Sequence, residues 1–323
     1  MGIAILSGIL SSLQELHETN PPSGTFIEAL PSRLPSRFIA CVRRSESAKK
    51  VQSALGHFPA LTVVQDQNVS SVQQSDIVIL ACKPSALSKV LNEDGMREAL
   101  KGKLLISILA GVSARQIEET LYPKLTYADQ LSGAKQLEVD CTVVRAAPNA
   151  AALVRASMTV IGSTEEKDAG TPAALDSSAQ NTTTSGLVGW IFRQVGEVTY
   201  LPPADMDAAT ALCGSGPAFF ALVLEAAADG AVAMGVPRAE AQRMAAQTMR
   251  GTAEMVLRGE HPALLKDKVS TPGGCTIGGL MVLEEGRVRG TVARAVREAT
   301  VVAGQLGKGV QGVNGTRFGN QMS

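Results

Sequence analysis

Scarcity narrows the chemistry before any motif is considered. Aromatic residues make up 3% of the 323-residue chain, too few for the stacking platforms on which single-stranded nucleic acids are bound. The 30 basic and 30 acidic residues cancel, so no global field recruits a polyanion or an anionic membrane. The three histidines, His17, His57 and His261, are not grouped at ligand spacing, which argues against a zinc site. The five cysteines, Cys41, Cys82, Cys141, Cys213 and Cys275, show no CxxC spacing and sit in apolar text, as reduced thiols of a cytoplasmic protein do. The opening run MGIAILSGILSSL lacks a basic flank and is too short to span a bilayer. Its Ile5, Ile9, Leu13 and Leu16 recur at helical spacing, and Gly2, Ala4 and Gly8 leave the helix slim enough to lie against a sheet. Neither nucleic acid nor membrane is an expected partner.

The text that is present divides in two, as its length suggests. Through residue 203, short apolar strands alternate with helices: strands at Arg37–Val42, Leu61–Val64, Asp76–Cys82 and Lys103–Leu109, helices at Ser45–Leu55, Pro84–Leu100 and Ser113–Leu121. Strands apolar on both faces and separated by helices imply a parallel sheet covered on both sides, with ligands at the carboxyl ends of its strands. Polar, Pro-rich or Ser/Thr/Ala-rich surface insertions interrupt this pattern near 17–36, 122–140 and 163–185. At the strand ends stand Arg43, Arg44 and Ser45, then Asn68, then Ala81, Cys82, Lys83 and Pro84, then Ala110 and Gly111. No acid follows the first strand where an NAD site would want one, and the basic pair suits the 2′-phosphate of NADP.

Pro202 and Pro203 mark the boundary, and residues 204–323 read as helices of small residues. Phe220, Leu224, Ala227 and Ala231 form one apolar stripe, and Val292, Ala295, Ala299, Val302 and Leu306 another. So few large side chains make a thin core for one chain, which predicts a helical domain that dimerises. The GSGP turn (Gly214–Pro217) suits a helix start; no Lys follows it, so it is not a phosphate loop. The most informative stretch is Leu264–Leu283, LLKDKVSTPGGCTIGGLMVL. Pro272, Gly273 and Gly274 break one helix just before the next begins. Bare amides at such a turn favour an anion, with the Ser270, Thr271 and Thr276 hydroxyls close by.

In order and spacing, PALLKDKVSTPGGCTIGGLMVLEEG (Pro262–Gly286), ALCGSGPAFF, LACKPSAL and the ILAGV turn resemble the pyrroline-5-carboxylate reductases, most closely their fungal versions. The resemblance runs from Met1 to about Leu306. It implies an α/β Rossmann-like domain binding NADPH, or NADH, and an all-α dimerisation domain, with the active site at their junction. It further implies reduction of 1-pyrroline-5-carboxylate to proline by a homo-oligomer, the last step of proline biosynthesis. Met1, Gly2, Ser45, Asn68, Ala81, Lys83, Pro84, Ala110 and Gly111 match cofactor positions, joined by Arg43 and Arg44. Glu260, Val269, Ser270, Thr271, Gly273, Gly274 and Thr276 match the substrate pocket. Reducing a protonated cyclic imine needs no histidine base or metal, so catalysis would rest on positioning and electrostatics. Thr276 would bond the imine nitrogen, Glu260 would favour its charge, and the Gly273–Gly274 amides would hold the carboxylate.

Two departures from the family pattern stand out. Arg145–Ala151 reads RAAPNAA where the family has RxMPN-Thr-Pro, so Ala147 and Ala150 thin the packing beneath the nicotinamide. Met1–Gly2 resemble the last two residues of a GxGxxG motif, so the opening strand and first glycines are expected to be missing. That strand is central, and its loss would leave two neighbours with unpaired edges. Two other readings remain open: a non-catalytic helical dimer that has lost cofactor binding, and another NADP-dependent imine or hydroxyacid reductase.

Overall fold

The computed structural model describes residues 1–18, 31, 33–123, 140–163, 184–307, 310, 313 and 316. The insertions expected near 17–36, 122–140 and 163–185 fall mostly outside them. The chain forms two compact units, residues 1–214 with 300–323, and residues 215–299. The first unit thus runs past the Pro202–Pro203 dipeptide and takes in the last turns of the final helix, residues 300–307.

The first unit opens with α1 (Gly2–Glu18), β1 (Phe38–Val42), α2 (Ser45–Leu55), β2 (Leu61–Gln65), α3 (Asn68–Gln73) and β3 (Ile77–Leu80). A 3-10 turn over Pro84–Ala86 leads into α4 (Leu87–Leu91), α5 (Met96–Leu100), β4 (Lys103–Ser107) and α6 (Ala114–Leu121). Then come β5 (Cys141–Ala147), β6 (Ser157–Gly162), α7 (Thr184–Arg193) and β7 (Gly196–Leu201). The helical text expected from Pro84 to Leu100 is interrupted between α4 and α5, where Gly95 takes a left-handed φ of 84° that a continuing helix cannot use. Helix α3 went unread because six residues, NVSSVQ, are too few and too polar to show a period.

Strands β3, β4 and β5 pair in parallel, as do β6 and β7, but β5 and β6 run antiparallel through Ala146↔Ile161 and Ala147↔Val160. The nine residues 148–156 between them are too few for a parallel crossover. Strands β1 and β2 form a separate parallel pair. Among the described residues, β1 and β3 each have one hydrogen-bonded neighbour and do not pair with each other. The two sheets therefore have no hydrogen-bonded strand in common among the described residues.

Helix α1 spans that break. Its Ile3, Leu6 and Leu10 pack with Ala40, Val51, Leu55 and Phe58 beside the small sheet. Its Ala4, Ile5, Ile9 and Leu13 pack with Ile106, Val144 and Ile161 of the large one and with Phe192 of α7. Full burial of each such aliphatic side chain stabilises the fold by about 1.5–3 kcal/mol, so α1 ties the two sheets without a hydrogen bond between them. Gly8 permits the approach: a Cβ there would lie 2.7 Å from the Gln194 carbonyl oxygen.

The first stretch of the first unit ends with α8 (Met206–Ala209) and a π-turn over Thr210–Ser215, whose last residue begins the second unit. The second contains α9 (Gly216–Ala233), α10 (Arg238–Leu257), α11 (Pro262–Lys268), α12 (Cys275–Glu285) and the start of α13 (Val288–Gly307). Its buried hydrophobic residues are Ala228, Ala241 and Leu265. Phe220, on the expected apolar stripe, is 51% exposed.

Candidate cofactor and substrate sites

In the first unit the expected cofactor residues lie where the strands end. Helix α1 starts at Gly2, and its first bond is Ile5 N–H to the Met1 carbonyl, 3.1 Å. The amides of Gly2, Ile3 and Ala4 precede it and have no intrahelical acceptor. Gly2 sits against the end of β3, where a Cβ would lie 3.8 Å from that of Ala81. Lys83 and Pro84 follow on the exposed surface, with Lys83 capping the 3-10 turn. Arg43, Arg44 and Ser45 are exposed at the β1–α2 junction, and Arg44 is the N-cap of α2. Amides at the start of a seventeen-residue helix are donors of a kind that suits a phosphate, and Lys83 after β3 and Arg43 and Arg44 after β1 are exposed cations.

Asn68 joins this edge through side-chain bonds. Its Oδ1 accepts from the Cys41 thiol of β1 at 3.3 Å, and its Nδ2 donates to Glu93 Oε2 at 2.9 Å. Glu93, in the α4–α5 connection, carries no sequence signal that would have singled it out. Gly111 turns the chain after β4 with φ 70°. The end of α13 is packed on it: a Cβ on Gly111 would lie 3.2 Å from Leu306 Cβ, and one on Gly307 would lie 2.8 Å from the Gly111 oxygen. Gln116 completes the clasp, its Nε2 donating to the Gly307 carbonyl while its Oε1 accepts from Ser113 in a capping box. Ala110 stays exposed beside this buried turn.

In the second unit the expected substrate residues form one turn. Helix α11 ends at Lys268, and the chain passes through Val269, Ser270 and Thr271 to a left-handed Gly273 with φ 68°. Gly274 is the N-cap of α12 and has no side chain to offer, so no side-chain cap covers the first amides of Cys275, Thr276 and Ile277. One expectation needs adjusting: the Gly274 N–H donates to the Thr271 carbonyl at 3.0 Å, which leaves the α12 amides as the anion donors. The Ser270 hydroxyl is likewise committed, donating to the Lys266 carbonyl at 2.8 Å. Glu260 is half-buried and accepts from Lys268 Nζ at 2.9 Å. Lys268, read only as part of the motif, therefore stands beside the one acid assigned a role here.

The lower half of the first unit's wall is held by Arg145, nine-tenths buried, whose guanidinium reaches Asp207 at 3.5 Å and the Thr210 hydroxyl at 3.3 Å. It anchors the end of β5 to the beginning of the π-turn. In the departure segment, Asn149 Oδ1 accepts from Ala151 N–H at 3.0 Å and its own N–H donates to Ser157 Oγ at 3.0 Å. The turn thus keeps its local bonds although alanine stands at 147 and 150.

Comparison with known proteins follows the same division. Residues 203–306 match a family described as pyrroline-5-carboxylate reductase dimerisation, and residues 23–111 one described as NADP oxidoreductase, coenzyme F420-dependent. A pyrroline-5-carboxylate reductase of Lophium arboricola is 60% identical over 319 residues, covering 98% of this chain and 94% of the relative. One from Neurospora crassa is 51% identical over 335 residues, covering 98% and 93%. Among solved structures, a pyrroline-5-carboxylate reductase from Coxiella burnetii superposes with a TM-score of 0.66 at 25% identity, over 94% of this chain and 95% of that one.

Proposed function

The chain belongs to the pyrroline-5-carboxylate reductases, and we propose that it reduces 1-pyrroline-5-carboxylate to proline with NADPH as the favoured donor. The observation that carries this is a match over nearly the whole chain, 319 residues at 60% identity, rather than any one glycine motif. The NADP oxidoreductase match supports a nicotinamide cofactor. Preference for NADPH rests on exposed Arg43 and Arg44 beside Ser45, with no acid at the end of β1. The free cysteines fit a reducing compartment, which supports a cytoplasmic setting.

The nicotinamide, when bound, supplies the hydride that the imine carbon accepts. This chain's residues position and polarise. In the first unit the α1 amides, with Lys83, hold phosphate, and the Ala81–Pro84 and Ala110–Gly111 turns line the cofactor's path. In the second, the amides of Cys275 and Thr276 hold the substrate carboxylate at the start of α12. The Thr276 hydroxyl bonds the ring nitrogen. Glu260 favours the protonated imine, and its ion pair with Lys268 fixes the carboxylate's direction while moderating its charge. Val269, Thr271 and Gly273 shape the turn. Helices of small residues in the second unit present their uncovered faces to another copy, giving a homodimer or larger assembly.

The gap between β1 and β3 favours a second reading, a helical dimer without cofactor binding. One assay separates the two: oxidation of NADPH and of NADH followed at 340 nm with pyrroline-5-carboxylate. Turnover with NADPH above NADH is expected; no turnover with either would overturn the reductase reading for this chain.

A further inference from the structure

We infer that Glu93 is a positioning residue of the cofactor site, fixing which way the Asn68 amide faces. The inference rests on the reading that Asn68 contacts the nucleotide. Asn68 opens α3, directly after β2, and its side chain is bonded at both ends. A carboxylate only accepts hydrogen bonds. Glu93 Oε2 at 2.9 Å therefore demands the nitrogen end of the amide and turns the oxygen end towards Cys41. A thiol bonds weakly and can donate or accept, so Cys41 alone would tolerate either orientation. With both bonds made, the amide keeps one N–H and one lone pair. That is the complement of a sugar hydroxyl, which donates and accepts.

Glu93 is itself held for this task. Its carbonyl accepts from Met96 N–H at 2.9 Å, closing the turn that leads into α5. The left-handed Gly95 brings that turn against α3, where a Cβ would lie 3.4 Å from Val69 Cγ1. At the other end of α3, Lys103 Nζ donates to the carbonyls of Val72 and Gln73 at 2.6 and 2.9 Å. A six-residue helix clamped at its C-terminal end, with a carboxylate braced on its first side chain, leaves the Asn68 amide little freedom. The Glu93–Asn68 bond lies at the surface, so its effect is on geometry and affinity rather than on global stability.

Calorimetric binding of NADP+ to the full chain tests this, alongside steady-state kinetics. Glu93→Gln keeps the shape but lets the side chain donate as well as accept, so Asn68 is free to reverse. The expected result is a Kd for NADP+ raised about three- to tenfold, with kcat at saturating NADPH, the KM for pyrroline-5-carboxylate and the melting temperature unchanged. Asn68→Ala should raise Kd at least as much, and adding Glu93→Gln to it should change nothing further, because Glu93 acts only through Asn68. If Glu93→Gln folds poorly, Glu93→Ala replaces it in the same cycle with the same expected non-additivity. An unaltered Kd in the single variant, or an equal loss in the Asn68→Ala background, overturns the inference while leaving the reductase reading intact. Failure of the unsubstituted chain to bind either NADP+ or NAD+ overturns that reading and this one with it.

Discussion

At the scale of single residues, the proposed substrate turn depends on groups that are not already bonded. The Ser270 hydroxyl is tied to the Lys266 carbonyl, whereas Thr276 stands in the first turn of α12 beside amides that no side chain caps, so Thr276 is the hydroxyl proposed to act on substrate. Thr276→Ala should lower kcat on the order of tenfold or more, as loss of one transition-state hydrogen-bond donor does. The Kd for NADP+ should stay fixed; an unchanged kcat removes Thr276 from the chemistry. A second prediction concerns Cys141 in β5. Burial, reinforced by the charges of Glu118 and Asp140, pushes its thiol up from 9.0 to about 11. The folded chain then holds that proton more tightly than the unfolded chain. The resulting stability is fully present below about pH 9 and is lost as pH rises towards 11. Urea midpoints should fall across that window, and less steeply in Cys141→Val. The slope that remains includes Tyr122, also raised by burial.

At the scale of elements, the clasp of α13 on the β4–α6 turn makes the sharpest prediction. Gly111 has both a left-handed backbone and Leu306 against the place a side chain would occupy. Gly111→Ala should therefore cost about 1–2 kcal/mol, measured in urea, and weaken NADP+ binding because the turn proposed to line the cofactor must shift. Gln116→Ala should destabilise the same joint by loss of its capping box and its bond to Gly307. Little of this was legible in the sequence. Apolar runs such as DIVILAC and KLLISIL announced β3 and β4, and the helix read from Ser113 to Leu121 appears as α6, because those signals are local. The turn proposed to hold substrate was legible as a turn for the same reason, with Pro272, Gly273 and Gly274 adjacent in the text. The antiparallel β5–β6 pair, the Glu93–Asn68 bond and the seat of Gly307 on Gly111 join residues distant in sequence or depend on connection geometry, and no period or composition records them. Lys268 was visible as a residue, yet its bond to Glu260 depends on how α11 folds back.

At the scale of the whole molecule, the second unit does not bury enough to stand alone. Ala228, Ala241 and Leu265 are its buried hydrophobic residues, while Phe220, Leu222, Met244, Leu257, Met281 and Val282 are between 51% and 73% exposed. At about 25 cal/mol per Å² of apolar surface, two alanines and a leucine cannot offset the backbone entropy of ordering these helices, about 1–2 kcal/mol per residue. The missing burial must come from outside the unit. Among the described residues, one run, Pro203–Ala233, is long and apolar enough to cross a bilayer by length and composition, with 17% of its most apolar window buried. The dimerisation family that matches residues 203–306 points instead to another copy of the chain as the cover. The two covers separate experimentally. Sedimentation without detergent at micromolar concentration should give a dimer or larger species, with no chain pelleting with added vesicles. Leu222→Glu, which places a charge on the exposed apolar surface of α9, should shift the population towards smaller and less stable species, because a buried unpaired carboxylate opposes assembly. A folded, stable monomer from the unsubstituted chain would overturn the assembly, and with it the explanation for why these helices are so sparsely packed.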